Sequence, residues 1–340
     1  VEGLPLVESS VTGQHRLHGL LRQALAERIE PDGRVKAARL AAEVEAARGN
    51  LATVVALLAE CDDTTGAVEA ARRFVQLPVL RRTFEQLSSV RRIIDSIQPG
   101  AALAKLLEIE CRWGHGATPL DYDELNQGFL RIAEAARAQG DDAIEAVALY
   151  RALEGFELHA RTGPSEAFER LTELADTESF AVDALRHARA RWSQELGDPD
   201  ASVAHLHSAE VRYPDLEQTL RAGRLCDLGR PEDVAVGLGP DALATQPRGA
   251  EVLIAFAMWL RGEVSPEVAF EIGQPMTADT VARRMVNQSV SILGVTSVIA
   301  LAAGRSDVAR AQVREALDLA AWGSPDRIRL FALVADAALA

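Results

Sequence analysis

The segment Arg48–Phe74, RGNLATVVALLAECDDTTGAVEAARRF, predicts two helices separated by a short turn. Gly49 suits the left-handed end of a preceding helix, which the pattern places over about 34–48. LATVVALLAEC then forms an apolar helical stretch, and Asp62 and Asp63 are candidate N-caps for the next helix. Helices joined by short turns, with few β-branched runs anywhere in the chain, predict an all-α fold. The segment nearest to a strand pattern, VSILGVTSVIALAAG at 290–304, is better interpreted as a buried helix than as two strands.

Upstream of this segment, residues 15–29, HRLHGLLRQALAERI, predict one more helix, and the PDG at 31–33 is expected to end it. Its apolar stripe follows the spacing of three and four residues that is typical of an amphipathic helix. The stripe consists of Leu17, Leu20 or Leu21, Leu25 and Ile29. The two histidines of this helix, His15 and His18, have an ordinary structural interpretation in which His15 is exposed and His18 is buried.

Glycines that close helices recur at a nearly constant spacing further along the chain. Gly163, Gly197, Gly229 and Gly262 are 34, 32 and 33 residues apart, and Gly304 follows after 42. Each precedes a polar or proline-containing turn, as in GDPDA and GRPEDV. A period near 34 with two helices per unit is typical of tetratricopeptide repeats. We therefore predict a right-handed superhelix of antiparallel helix pairs, built from degenerate tetratricopeptide-like repeats.

The composition excludes several classes of protein. Apolar residues make up 48% of the 340 residues but aromatic residues only 5%, which favours closely packed helices. The formal net charge of −14 argues against direct binding of nucleic acid by this chain. Three widely spaced cysteines, Cys61, Cys111 and Cys226, suit reduced thiols in a cytoplasmic protein. No uncharged apolar run is long enough for a membrane span, and the N-terminus does not resemble a signal peptide.

The sequence does not contain the common catalytic motifs. Lysine occurs only at Lys36 and Lys105, both in helical patterns, so a Walker-type phosphate loop is absent. We therefore predict that the chain is not an enzyme and binds no cofactor by itself. Metal binding is disfavoured as well. Cys111 and His115 are four residues apart, but we expect the helix to end at Gly114 between them. His205 and His207 are two residues apart on a predicted helix, so they point to different sides.

Two further features have both a structural and a functional interpretation. The segment Leu185–Trp192, LRHARARW, concentrates basic residues that either bind an anion or, as we favour, pair with neighbouring acidic residues. The tryptophans are expected in the core or between repeats, with Trp113 the best candidate to line a groove. The tryptophans are Trp113, Trp192, Trp259 and Trp322.

Two short stretches resemble a junction found in MalT-like and related actinomycete-type regulators of the STAND class, the signal-transduction ATPases with numerous domains. In that family a winged helix ends in a motif of the form aromatic-Arg-Leu-His-Pro/Asp-Leu-Leu-Arg, and a helical pair with an Ala-Ala and a Gly-Asp element follows. The first motif is matched by Arg16, Leu17, His18, Leu20, Leu21 and Arg22, and Gly19 stands where the family has Asp or Pro. The second is matched by Ala37, Ala38, Gly49 and Asn50.

The resemblance implies a role for His18 and an organisation for the chain. In the family this histidine lies against the β-phosphate of ADP, so ATP or ADP is expected only with a nucleotide-binding domain that this chain does not contain. We therefore expect a piece of a longer protein, in agreement with Val1 in place of methionine. Residues 1–30 are then the end of a winged-helix-like segment, 31–95 linking helical repeats, and 96–340 the superhelical sensor region.

The resemblance implies a sensor that binds a small-molecule effector or a protein partner on its concave face. A generic tetratricopeptide-like scaffold for protein partners is the alternative. A third hypothesis, an enzyme that uses His115 or His187 as a base, is disfavoured because no nucleophile lies at a suitable spacing. The apolar last helix, DRIRLFALVADAALA, suggests packing on another repeat or on a second copy, so a homo-oligomer is possible.

Overall fold

The computed structural model describes residues 7–9, 15–17, 31–77, 82, 84–115, 122–157, 166–195, 198–206, 250–282, 286–320 and 330–340. Contacts divide the chain into two compact units, Val1–Phe74 and Val75–Ala340. The strands are β1 (Val7–Ser9) and β2 (His15–Leu17). The helices are α1 (Pro31–Ala47), α2 (Leu51–Glu60), α3 (Thr64–Val75), α4 (Phe84–Ile97), α5 (Ala102–His115), α6 (Tyr122–Gln139), α7 (Asp142–Glu157), α8 (Glu166–Leu174), α9 (Ser179–Glu195), α10 (Pro199–Leu206), α11 (Ala250–Leu260), α12 (Pro266–Ala282), α13 (Val286–Ala302), α14 (Ser306–Ala320) and α15 (Leu330–Leu339).

The beginning of the chain differs from the sequence prediction. Residues 15–17 form strand β2, which pairs antiparallel with β1, with Glu8 opposite Arg16. The predicted helix therefore does not begin at His15; residues 18–29 lie outside the described part. A backbone pairing with an upstream segment explains the difference, because helical periodicity in one window does not report a partner strand elsewhere in the sequence.

The PDG segment forms the start of helix α1, which therefore begins earlier than the predicted residue 34; whether the segment also ends a preceding helix concerns residues 18–30, outside the described part. Pro31 is the first residue of α1, where its missing N–H costs nothing because the first amides of a helix have no intrahelical acceptor. The predicted helix pair that follows is confirmed. Gly49 has a φ of 78° between α1 and α2, and the Asp63 carboxylate accepts a 2.9 Å hydrogen bond from the Gly66 amide at the start of α3. Asp62 has a φ of 58° and lies in the turn.

The second unit is a succession of antiparallel helix pairs, and the all-α prediction is confirmed for the described helices. Consecutive helices pack on each other from α4 to α10 and from α11 to α15, and several helices also contact the next but one, as α5 does α7 and α7 does α9. Glycines with φ between 68° and 76° lie in four of the turns, because the left-handed conformation there disfavours other side chains. These are Gly100, Gly140, Gly262 and Gly304. The predicted Gly163, Gly197 and Gly229 lie outside the described residues.

The core of α11 to α15 is a cluster of small and branched side chains around Phe270. The predicted buried helix in VSILGVTSVIALAAG is confirmed as part of α13. Helix α15 turns Ala332, Ala335 and Leu339 inward, while Leu333 and Val334 are exposed. Within the described residues, no helix is both long enough and apolar enough to span a membrane.

Candidate functional site

The residue predicted to sense nucleotide, His18, lies outside the described residues, one position after the end of β2. His207, Cys226 and Trp322 also lie outside the described residues. Helix α5 continues to His115, so the prediction that Gly114 ends that helix is wrong. Cys111 is a buried free thiol on α5, and burial raises its pKa. Within the described residues, no three His, Cys, Asp or Glu side chains lie close enough to hold a metal ion.

The basic segment LRHARARW lies on helix α9. The Arg186 guanidinium forms an ion pair of 3.3 Å with Asp183, one turn earlier on the same helix, which agrees with the interpretation we favoured for this segment. His187 is half-buried, and its ring centre lies 6.4 Å from that of Tyr150 on α7. Arg189 is exposed. Tyr150 also contacts Phe180 edge to face, with ring centres 6.0 Å apart.

Two of the predicted tryptophans have described side chains, and both are half-buried. Trp259 packs on the α11–α15 core beside Phe256, with ring centres 5.7 Å apart. Trp192 lies near the end of α9. Trp259 therefore agrees with the core interpretation.

The described residues of the second unit include a buried ion cluster centred on Glu110, which the sequence patterns did not predict. The Glu110 carboxylate accepts two hydrogen bonds from the Arg82 guanidinium, one of them at 3.1 Å, and one of 2.8 Å from Nε of Arg151. The exposed fractions of the three side chains are only 2–4%. Helix α5 provides Glu110 and helix α7 provides Arg151, so the cluster joins different helix pairs.

The charged state of Glu110 depends on its two partners. Burial alone would raise the pKa of this carboxyl, but the charges and hydrogen bonds of Arg82 and Arg151 outweigh burial and hold the pKa below its ordinary value. The carboxylate therefore stays ionised inside the protein, where an unpaired charge is very unfavourable. One signal in the sequence could have revealed this site: Glu110 continues the apolar stripe of Leu103, Leu106 and Leu107.

A second carboxylate-centred cluster joins α6, α7 and α8. Glu145 is fully buried and accepts hydrogen bonds of 2.8 and 3.0 Å from Arg170, and one of 2.7 Å from Arg137. Arg170 also donates to Glu173 at 2.8 Å. Burial acts to raise the pKa of Glu145, but the hydrogen bonds from Arg170 and Arg137 outweigh it and lower the pKa.

We expect Glu145→Gln to lower the free energy of unfolding by about 1–2 kcal/mol at neutral pH, because charge-assisted hydrogen bonds are lost and the half-exposed arginines limit their strength. The pKa of Glu145 is lower in the folded than in the unfolded protein, so its ionisation stabilises the fold fully at pH values above the unfolded-state pKa. This stabilisation is lost as the pH falls through the folded-state pKa. The difference between wild type and variant should therefore shrink between about pH 5 and about pH 3 in urea unfolding. Glu134→Gln, exposed on α6, is the control with little effect. A difference that is equal at both pH values would contradict this prediction.

Helix α7 connects these features, because Glu145, Tyr150 and Arg151 belong to it. Residues 144–149 are all buried, as in a helix that is covered by neighbours on every side. The carboxylates of Glu110 and Glu145 are paired with arginines that compensate their charge. These ion pairs hold neighbouring helices together. The half-buried Tyr150 and His187 lie together where α7 meets α9, the α7–α9 surface, and both combine aromatic surface with polar atoms.

No protein-family model matches the chain, and a search of curated proteins gives no significant relative.

Proposed function

We propose that this chain is the effector-binding or partner-binding sensor region of a bacterial, cytoplasmic STAND-type transcriptional regulator, and that it acts by binding and not by catalysis. The observation that carries the proposal is the stack of helix pairs in which α5, α7 and α9 are in successive contact. Stacked pairs produce an extended surface for ligands. A ligand that binds one arrangement of the stack better than another shifts the population between them.

The finer architecture belongs to the same proposal: a right-handed superhelix of degenerate tetratricopeptide-like repeats. Two adjacent helix pairs, α11 with α12 and α13 with α14, support it. Helix α11 begins at residue 250 and α13 at residue 286, 36 residues apart. This spacing is close to the tetratricopeptide period of about 34. The glycine turns at Gly262 and Gly304 lie inside these two helix pairs.

The first unit supports the proposed origin of the chain. An antiparallel strand pair precedes α1, at the place where the resemblance has the end of a winged helix. In the second motif of the resemblance, Gly49 supplies the left-handed turn and Asn50 donates a side-chain hydrogen bond to Glu45. On this proposal His18 contacts the β-phosphate of ADP when the nucleotide-binding domain is present.

A thermal-shift screen of the purified chain against sugars, other metabolites, nucleotides and peptides tests this function. A ligand that binds only the folded state at a hundred times its Kd stabilises it by about 2.7 kcal/mol. We expect one class of small molecule to raise the Tm saturably, by about 5 °C or more. A response to peptides or proteins alone favours the generic scaffold. If no class of compound raises the Tm, the sensor function of this chain is contradicted.

Substitution at the α7–α9 surface gives the matched comparison. Tyr150→Ala is expected to weaken binding of the effective compound, whereas Val182→Ala, exposed on α9, is the control that should leave it unchanged. Light scattering on the same samples reports whether the chain forms a homo-oligomer and whether the ligand changes its size.

A further inference from the structure

Helix α1 has two apolar faces on opposite sides of its axis. One is the side of α1 that packs on α2, where Ala42 is 4% exposed and Val35 and Ala38 are half-buried. On the other side, Leu40 is 63% exposed and Val44 is 43% exposed. The second face therefore presents two large apolar side chains to water, although α1 already has the face that it needs for packing on α2.

The exposed face is a regular stripe with its small residues at one end. In chain order this face, the α1 stripe, consists of Gly33, Ala37, Leu40 and Val44. Its spacings of four, three and four residues are the pattern with which two helices pack side by side. A second copy of α1 in antiparallel orientation places each Leu40 against Ala37 of the other copy, and each Val44 against Gly33. The α1 stripe is thus complementary in shape to itself.

Two exposed charges of opposite sign flank the α1 stripe on the same side. Lys36 and Glu43 are both exposed and seven residues apart, which is two turns of the helix. In the antiparallel arrangement that sets Leu40 against Ala37, Lys36 of each copy lies beside Glu43 of the other copy. Two ion pairs related by the two-fold axis result. In a parallel pair the two residues are about 10 Å apart along the axis and do not meet, so the charges favour the antiparallel orientation.

We propose that the α1 stripe, with Lys36 and Glu43 beside it, is a docking surface for α1 of a second copy of this chain in antiparallel orientation. Docking removes Leu40 and Val44 from water, which provides the driving force. Helix α1 has 17 residues and is about 25 Å long, so this contact is smaller than the interfaces of stable dimers. The association is therefore weak and depends on concentration. The inference does not depend on the proposed sensor function.

Sedimentation velocity with the full chain, between about 1 µM and 1 mM, measures the dimerisation constant. We expect Leu40→Asp to weaken dimerisation by at least about tenfold, because a charge enters the centre of the contact. Leu333→Asp is the matched control, since Leu333 is a 44% exposed leucine on α15, and it should leave dimerisation unchanged. Circular dichroism checks that both variants are folded.

Charge reversal tests the orientation. Lys36→Glu and Glu43→Lys should each weaken dimerisation by about threefold to tenfold, because each sets like charges against one another twice. An equimolar mixture of these two variants should dimerise more tightly than either variant alone, since both ion pairs then form with reversed polarity. The proposal is overturned if the chain stays monomeric over the whole concentration range, if Leu333→Asp weakens dimerisation as much as Leu40→Asp does, or if the mixture is no tighter than its components.

Discussion

Glu110→Gln is expected to lower the free energy of unfolding by about 3–5 kcal/mol. The substitution removes the negative charge that Arg82 and Arg151 share in a part of the protein where their side chains are 3–4% exposed. Water cannot replace the carboxylate there, so the charge of the guanidinium groups is left uncompensated by Glu110. Urea unfolding monitored by circular dichroism measures the loss.

Glu108→Gln is the matched control, because Glu108 is exposed on the same helix two residues earlier, and it should change stability by less than about 0.5 kcal/mol. Replacing the three charged residues together with Met, Leu and Met separates charge from packing. An apolar replacement of a whole buried ion cluster is often neutral. The triple variant should recover most of the loss, and equal instability of the triple and single variants would contradict a charge-based explanation.

The second large effect is expected for Phe270→Ala, which should cost about 3–5 kcal/mol. Phe270 is fully buried among the side chains of α11–α15, and its removal leaves a cavity that the surrounding helices fill only in part. The contact of its ring with the Arg305 guanidinium is lost as well. Thermal unfolding followed by circular dichroism is the measurement.

Val268→Ala tests whether this loss comes from burial. Val268 is two residues earlier on α12 and 43% exposed, so its truncation should cost well under about 1 kcal/mol. Phe270→Leu should lie between the wild type and the alanine variant, because it fills most of the volume. Similar costs for Val268→Ala and Phe270→Ala would contradict the packing described for α12.

Local sequence patterns predicted the described helices named below, and the error at β2 lies where a contact with a residue elsewhere in the sequence determines the structure. The 3.6-residue period and the glycine and aspartate turn signals identified α2, α3 and α13, and they explain Gly49 and Asp63. The strand β2 was missed because its backbone partner lies about eight residues upstream, and a helical stripe of leucines continues past it. The early start of α1 at Pro31 has a local cause, since proline is favoured both after a helix and at the first position of one.

The buried ion clusters could not be predicted from the sequence, for a different reason. Glu110 has partners 28 and 41 residues away, and a single sequence carries no information on which arginine approaches a given carboxylate. Acidic residues interleaved with arginine on helices are usually solvated, so the sequence around Glu110 and Glu145 does not mark either residue as buried. A carboxylate on an apolar stripe is the one local sign that distinguishes Glu110 from its exposed neighbour Glu108.

The Glu110 cluster also has a consequence for the order in which the second unit folds. In an ideal repeat stack each repeat contacts only its neighbours, so folding can nucleate in any repeat and propagate from one to the next along the chain. Here α5 loses the hydration of Glu110 on packing and is compensated only when both Arg82 and Arg151 are in place. The segments that carry these residues therefore assemble together, and this part of the stack is expected to gain its structure in one cooperative step.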